Sequence, residues 1–263
     1  AEMDAVKNNP GFQRAVHAIR LGIRQEGVKE WNYTAGLVDA QGKRGRMTDR
    51  EKQAAAQWAC EMEIWDRCIS STERTSQYDV NHRFPMPFKE EVLSRTRDIN
   101  LEAAYVYGLI RQESRFVINA RSSVGASGLM QVMPRTAKWT AKKIGLKNFQ
   151  PDQLNQRDTN IAIGTGYLKL VLDNFHGSMP MAAAAYNAGP SRPRKWRNGP
   201  LLEGAIWTEC IPFTETRDYV KKVLSNTTAY AALITGEPQS LKARLGKIGP
   251  REKSEPEDDN DLP

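Results

Sequence analysis

The stretch YGLIRQESRF (107–116) decides how this chain is read. Val106, Leu109, Ile110 and Glu113 fall at i, i+3, i+4 and i+7, which is one face of a helix. Three of the four are core residues and the fourth is a carboxylate. Burying it as the anion costs on the order of several kcal/mol. Glu113 is therefore either paired or kept partly neutral for a purpose. It sits near the C-terminal end of the expected helix, where the dipole also disfavours an anion. Both effects raise a carboxyl pKa, as a general acid at neutral pH requires. On this stripe alone, a glutamate paired to Arg111, Arg115 or a more distant arginine is the simpler reading.

Outward from this helix the chain reads as helical throughout. Upstream, Phe12, Val16, Ile19 and Ile23 form one stripe after Pro10. Thr48-Asp49-Arg50-Glu51 is a capping box. It opens a helix whose stripe is Ala55, Trp58, Met62, Trp65 and Ile69. These are expected to be an antiparallel pair, followed by a boundary at the Pro-rich FPMPF (84–88). Asn100 is the expected N-cap of a helix over 101–115. SSVGASGLMQ (122–131) is a Gly-rich loop leading into a helix near 134–144. A helix from Asp158 or Asn160 carries Ile161, Gly164, Leu168, Val171, Leu172 and Phe175. Gly164 and Gly166 each weaken it by about 1 kcal/mol and are expected to admit a second backbone. MAAAAYNAG (181–189) is a short helix stopped by Gly189, and Thr214 opens a last long helix. No strand series is visible, so the fold class is all-α or nearly so. The acidic, Pro-containing segment from about 248 is expected to be disordered.

The 263 residues suffice for one large or two small domains, and 40% are hydrophobic. No apolar run approaches the ~18 residues of a membrane span. The chain starts at Ala1 without a leader, which reads as a processed protein or a fragment. Net charge is +7, unevenly spread: residues 251–263 carry −4 and the other 250 carry +11. A basic body suits an anionic polymer, either nucleic acid or glycan. No zinc-finger spacing or RNP-like motif supports nucleic acid. Three cysteines without CxxC, and no HExxH among three histidines, argue against a metal site. Cys60 and Cys68 are expected to share one helix, where eight residues span about 12 Å. That exceeds the ~7 Å limit on Cα separation for a disulfide, so none is expected and cysteine usage does not fix the compartment.

The loop after Glu113 has the equipment to hold a sugar. Gly125 and Gly128 let backbone approach a ligand, and Ser122, Ser127 and Gln131 supply neutral donors and acceptors. No Gly-Lys-Ser/Thr follows for phosphate, and the turn is not the GxSxG of a serine hydrolase. Tyr186 and Asn187 lie at a helix end. Glu215 opens the last helix, where the dipole alone would favour a carboxylate. Trp196, Trp207, Phe213 and Tyr219 could line a sugar-stacking groove, although such residues are more often core.

Glu113-Ser114, VGASGLMQVMP (124–134), AAYNAGP (184–190) and IPFTETRDYV (211–220) occur in this order and spacing. Together they closely resemble the catalytic domain of the large soluble lytic transglycosylases of Gram-negative bacteria, over roughly 84–230. The segment containing QAAAQWACEMEIWDRCISSTERT (53–75) looks like the helical linker that precedes catalysis in that family. The resemblance implies a helical linker domain over 1–82, a lysozyme-like catalytic domain over 83–247 and an acidic disordered tail over 248–263. Family members carry a further helical superhelix upstream, so the chain looks like a C-terminal fragment.

The resemblance also implies peptidoglycan as substrate and non-hydrolytic cleavage between N-acetylmuramic acid and N-acetylglucosamine. The muramyl C6 hydroxyl attacks C1 to give a 1,6-anhydro product. Glu113 would be the single acid/base, where most glycosidases use two carboxylates; no acidic residue lies between Glu113 and Asp152. By position, Ser122 and Gln131 would contact the sugar and Met133 would be an apolar groove residue. Tyr186 would orient the carboxyl, with Asn187 beside it at the site. Glu215 would be a groove carboxylate, and Ser114 would support the helix end. Ile118 departs from the family's frequent proline, in the turn after the helix. The implied protein is a periplasmic or outer-membrane-associated monomer with glycan strands and envelope proteins as partners. No cofactor, metal or nucleic acid is expected. A hydrolytic muramidase on the same fold and a non-catalytic envelope scaffold are the alternatives.

Overall fold

A computed structural model describes residues 1–36, 47–252 and 261–263. Within them the chain divides into two compact units, Ala1–Pro85 and Met86–Pro263.

The first unit contains α1 (Glu2–Lys7), α2 (Pro10–Arg20), α3 (Arg24–Ala35), α4 (Asp49–Glu61), α5 (Trp65–Thr72) and α6 (Val80–Arg83). Its core is an aromatic cluster. Phe12 lies 4.7 Å from Trp31 and 6.4 Å from Trp58, and the two tryptophans stack at 6.0 Å. The indole N–H of Trp31 donates to Ser71 Oγ at 3.2 Å, so its polar edge is not left unsatisfied. The Thr48/Glu51 capping box forms as expected.

Two expectations fail in this unit. The stripe from Phe12 does not run on to Ile23, because α2 ends at Arg20. Gly22 takes φ +83 and Ile23 is exposed. Nor do Cys60 and Cys68 share a helix. α4 ends at Glu61, Glu63 turns with φ +59, and α5 starts at Trp65. This break folds Cys68 back until the two Cα atoms are 5.2 Å apart, and the cysteines form a disulfide. An uninterrupted stripe on paper hid a corner made by one left-handed residue.

The second unit contains α7 (Lys89–Asp98), α8 (Ala103–Glu113), α9 (Pro134–Lys143), α10 (Arg157–Asn174), α11 (Met179–Ala188), α12 (Ser191–Trp196), α13 (Gly204–Glu209), α14 (Thr214–Thr235) and α15 (Leu241–Leu245). A 3-10 turn spans Pro151–Asn155. One antiparallel pair of two-residue strands, β1 (Leu202–Glu203) and β2 (Lys247–Ile248), is present among the described residues. The all-α reading holds. The α8 helix starts later than expected: Asn100 takes φ +51, and Glu102 is the N-cap.

α8 is the buried axis of this unit, with Ala104 to Arg111 all buried. Each fully buried Leu or Ile contributes roughly 1.5–3 kcal/mol, and α8 contributes Leu109 and Ile110. α14 lies directly on it. A Cβ on Gly108 would stand 2.8 Å from the Thr227 backbone nitrogen, so glycine is what allows these two backbones to touch. The contact is extended by Tyr107 stacked on Tyr230 at 5.2 Å and by Arg111, which donates to Asn226 Oδ1 at 3.2 Å. Gly164 and Gly166 have a different role from the expected backbone contact. They receive the side chains of Met130 and Ile144.

Residues 253–260 of the expected disordered tail lie outside the described residues. The last three do not float free: Leu262 is buried and Asp261 pairs with Lys143 at 3.3 Å.

Candidate active site

Glu113 is the last residue of α8. The helix stops there, not at residue 115, because Arg115 and Phe116 both adopt left-handed conformations, with φ +50 and +66. Two such non-glycine residues cost on the order of 1–3 kcal/mol each, so surrounding contacts must hold them. Phe116 is buried against Tyr107 at 6.1 Å. Ser114 Oγ donates to the Leu129 carbonyl at 2.7 Å, tying the helix end to the Gly-rich loop. That is the supporting role expected of Ser114.

The loop doubles back on itself. Ser127 exchanges both backbone hydrogen bonds with Val132 at 3.1 Å, and Gly128 N–H donates to Ala120 O at 2.8 Å. Asn160, near the start of α10, is its buried anchor. Its Oδ1 accepts from Met130 N–H at 2.8 Å, and its amide donates to the carbonyls of Ser127 (2.9 Å) and Leu154 (2.8 Å). Gly128, at φ +79, has no room for a side chain: a Cβ would lie 2.0 Å from Asn160 Nδ2 and 2.4 Å from Leu154 O. Sequence reading treated Asn160 only as a possible helix cap. Its signal was a fully polar residue beside Ile161 on an apolar helix face.

The Glu113 carboxyl receives a hydrogen bond from the Tyr219 hydroxyl at 2.6 Å. The expected orienting residue was Tyr186. Its hydroxyl instead donates to the Met130 carbonyl at 2.8 Å, which fixes the loop. Tyr186 is nonetheless close enough for the Glu113 charge to act on it. From sequence, Tyr219 was a candidate stacking aromatic and not a partner of Glu113. The available signal was that it lies four residues after Glu215, on the same face of α14.

Burial pushes the Glu113 carboxyl up to about 7, the hydrogen bond from Tyr219 pulls it down, and the negative charge of Glu215 raises it further. Both tyrosine hydroxyls are driven well above their ordinary value, chiefly by burial and then by the Glu113 charge. They are neutral donors throughout the physiological range.

The other expected site residues fall as follows. Ser122 closes the loop, accepting from Ala126 N–H at 3.0 Å. The Gln131 amide donates to the carbonyls of Ala120 (3.0 Å) and Gly128 (2.8 Å), which turns its oxygen away from both. Met133 is exposed at the N-cap of α9. Asn187 Oδ1 accepts from Thr216 Oγ1 at 2.7 Å, joining α11 to α14. Glu215 is exposed in the first turn of α14. Of the candidate stacking aromatics, Trp207 and Tyr219 are core. Phe213 is exposed, 5.4 Å from Trp196 and with the Arg192 guanidinium 5.0 Å from its ring centre. Among the described residues, no group of three or more His, Cys, Asp and Glu could hold a metal ion.

A carboxyl titrating near neutrality at a helix end, against a Gly loop anchored from α10, can be compared with known proteins. The transglycosylase SLT domain matches residues 92–200, and the soluble lytic transglycosylase helical domain matches 210–239, which is α14 and its approach. The soluble lytic murein transglycosylases of Salmonella typhimurium and Escherichia coli are 34% and 32% identical over 90% and 91% of this chain. The chain belongs to the soluble lytic transglycosylase family. It spans 36% of the length of each of these two relatives. Among solved structures of the family, an inactive mutant of lytic transglycosylase Slt from Pseudomonas aeruginosa superposes with a TM-score of 0.82. It is 33% identical, over 94% of this chain and 39% of that one. The 70 kDa soluble lytic transglycosylase of Escherichia coli gives 0.76 at 30% identity, over 92% and 38%. A complex of the 70 kDa soluble lytic transglycosylase with bulgecin A gives 0.77.

Proposed function

We propose that this chain carries the catalytic site of a peptidoglycan lytic transglycosylase, with Glu113 as its single acid/base. The observation that carries this reading is the Glu113 carboxyl, raised to about 7 while bonded to a neutral tyrosine. At neutral pH such a group is present in comparable amounts as acid and as base, and the reaction uses both forms in turn. As the acid, Glu113 gives its proton to the oxygen leaving C1 of the muramyl residue. As the resulting carboxylate, it takes the proton of the muramyl C6 hydroxyl while that oxygen bonds to C1. The products are a 1,6-anhydromuramyl end and a free N-acetylglucosamine hydroxyl, and Glu113 ends protonated again. Tyr219 keeps the carboxylate oriented between the two steps. The relatives' names support murein as substrate, and the Pseudomonas relative is described as inactive with one glutamate changed to glutamine.

The site's neutral polar groups suit a sugar, and Met133 and Phe213 offer apolar surface to it. The net positive charge suits the anionic wall. Periplasmic location is supported by the Cys60–Cys68 disulfide, a bond of oxidising compartments.

One observation favours a second reading. The charge of Glu215 reaches Glu113, so Glu215 could activate a water, as in hydrolytic glycosidases with two carboxylates. Mass spectrometry of muropeptides released from purified sacculi decides between the two. Anhydromuramyl ends from the native chain and none from Glu113→Gln are expected. Reducing ends would make the enzyme a muramidase, and undiminished release by Glu113→Gln would remove Glu113 from the mechanism.

A further inference from the structure

Three side chains are coupled to the Glu113 carboxyl, and two elements supply them. Tyr219 donates to it and Glu215 acts on it by negative charge, both from α14; the Tyr186 hydroxyl, on α11, feels its charge. Tyr219 is buried in the body of α14, which is locked on α8 by the Gly108–Thr227 approach and by Tyr107 stacked on Tyr230. Glu215 has no such support. It is exposed, in the first turn of α14, and that turn opens at Phe213 without a side-chain cap. The leading N–H groups of an uncapped helix lack intrahelical partners, and such a turn is prone to fray.

One buried polar contact ties this turn down. Thr216, only 2% exposed, donates from Oγ1 to Asn187 Oδ1 at 2.7 Å. Thr216 adjoins Glu215, and Asn187 adjoins Tyr186. The bond therefore joins α14 to α11 at the residues next to those coupled to Glu113. A second, looser tie runs through Arg192, which donates to the Ala188 carbonyl and lies 5.0 Å from the ring centre of the exposed Phe213. It reaches only the residue before the helix, whereas Thr216 lies within the turn that carries Glu215.

We propose that Thr216 is a positioning residue: its bond to Asn187 holds the Glu215 carboxylate where it acts on Glu113, so Asn187 serves the site by locating α14 and not by touching the sugar. The bond is short, buried and between neutral groups, so it persists whatever the protonation state of Glu113 or Glu215. Only the consequence for turnover rests on the catalytic reading above; the placement of Glu215 does not.

Carbon-13 NMR of glutamate carboxyls follows the Glu113 titration without catalysis, with Glu113→Gln assigning its signal. Thr216→Val keeps the shape of the side chain and loses the hydroxyl. The Glu113 midpoint should move below that of the native chain, because the charge that raises it recedes. Thr216→Ser keeps the hydroxyl and should restore the native midpoint. In a Glu215→Gln background, Thr216→Val should cause no further movement. A midpoint that Thr216→Val leaves in place, or moves equally with and without Glu215, overturns the proposal. Asn187→Ala removes the acceptor and carries the same test should Thr216→Val fail to fold. In muropeptide release, Thr216→Val should lose roughly two- to threefold more turnover at pH 8 than at pH 6, since the protonated acid becomes scarce. Asn187→Ala should show the same split with KM unchanged; a raised KM with kcat intact would make Asn187 a sugar contact and overturn the proposal. A native chain that titrates as described yet releases no muropeptide would count against the catalytic reading alone.

Discussion

Tyr219 and Tyr186 are both buried beside one carboxyl, yet their hydrogen bonds differ, and so should their substitutions. Tyr219→Phe removes the hydroxyl that donates to Glu113. A hydrogen bond to a charged group is worth about 1.5–3 kcal/mol, so turnover should fall roughly ten- to a hundredfold. The Glu113 pKa should also rise, because that bond is what pulls it down; the alkaline limb of the pH–rate profile, where the protonated acid is lost, reads this shift by moving to higher pH. Tyr186→Phe frees the Met130 carbonyl instead. Its cost should appear as lower stability and a raised KM, with that limb in place. Stability measurements test the Glu113 carboxyl separately. Its folded value of about 7 lies above its ordinary 4.5, so the folded chain binds the extra proton. The stability this confers is fully present below about pH 4.5 and is lost as pH rises through 7. Glu113→Gln does not titrate. Its melting temperature should therefore gain on the native chain between pH 4.5 and 8, by the equivalent of about 1–3 kcal/mol. A constant gap across that range would show that the carboxyl is not raised.

The Gly-rich loop beside Glu113 depends on an element packed behind it. Asn160 satisfies three backbone groups of the loop and the 3-10 turn from inside α10. Asn160→Ala strands them in a buried setting, at about 1–3 kcal/mol for each group left unpaired. The predicted result is a destabilised protein whose residual activity falls more than its folded fraction, measured by denaturant titration alongside muropeptide release. Asn160→Asp should rescue less than half the loss, since a carboxylate cannot donate to the carbonyls of Ser127 and Leu154. This element also shows what sequence could and could not reveal. α8, α9, α11 and α14 were legible because their apolar spacing and their Pro or Gly punctuation agree. Glu113 stood out as a carboxylate on an apolar stripe, but that stripe alone favoured an ion pair, and its acid/base role came from the family resemblance. The bonds from Asn160 and Tyr219 were not, because each joins groups separated in sequence and nothing near either residue requires its partner. The missed corner at Glu63 has the opposite cause: the apolar period persisted through a break set by one dihedral.

For the whole molecule, the disulfide is the point at which sequence and structure disagree most, and it bears on where the protein works. A helix carried through 60–68 would hold the two cysteines apart; the turn at Glu63 brings them together in the first unit. Cys210 is the free cysteine, and it is exposed. Alkylation of the denatured, unreduced chain should therefore label one thiol, and three after reduction. Closing a loop of this size contributes roughly 2–3 kcal/mol by restricting the unfolded chain. The paired substitution Cys60→Ser and Cys68→Ser should lower the stability of the first unit by that amount. The cleavage chemistry of the second unit, whose catalytic groups share no residue with the disulfide, should keep its rate at temperatures where both forms are folded. Three labelled thiols before reduction, in protein exported to an oxidising compartment, would remove both the bond and the structural argument for a periplasmic enzyme. One labelled thiol with unchanged stability would leave the location argument standing and refute the chain-restriction account of what the bond does.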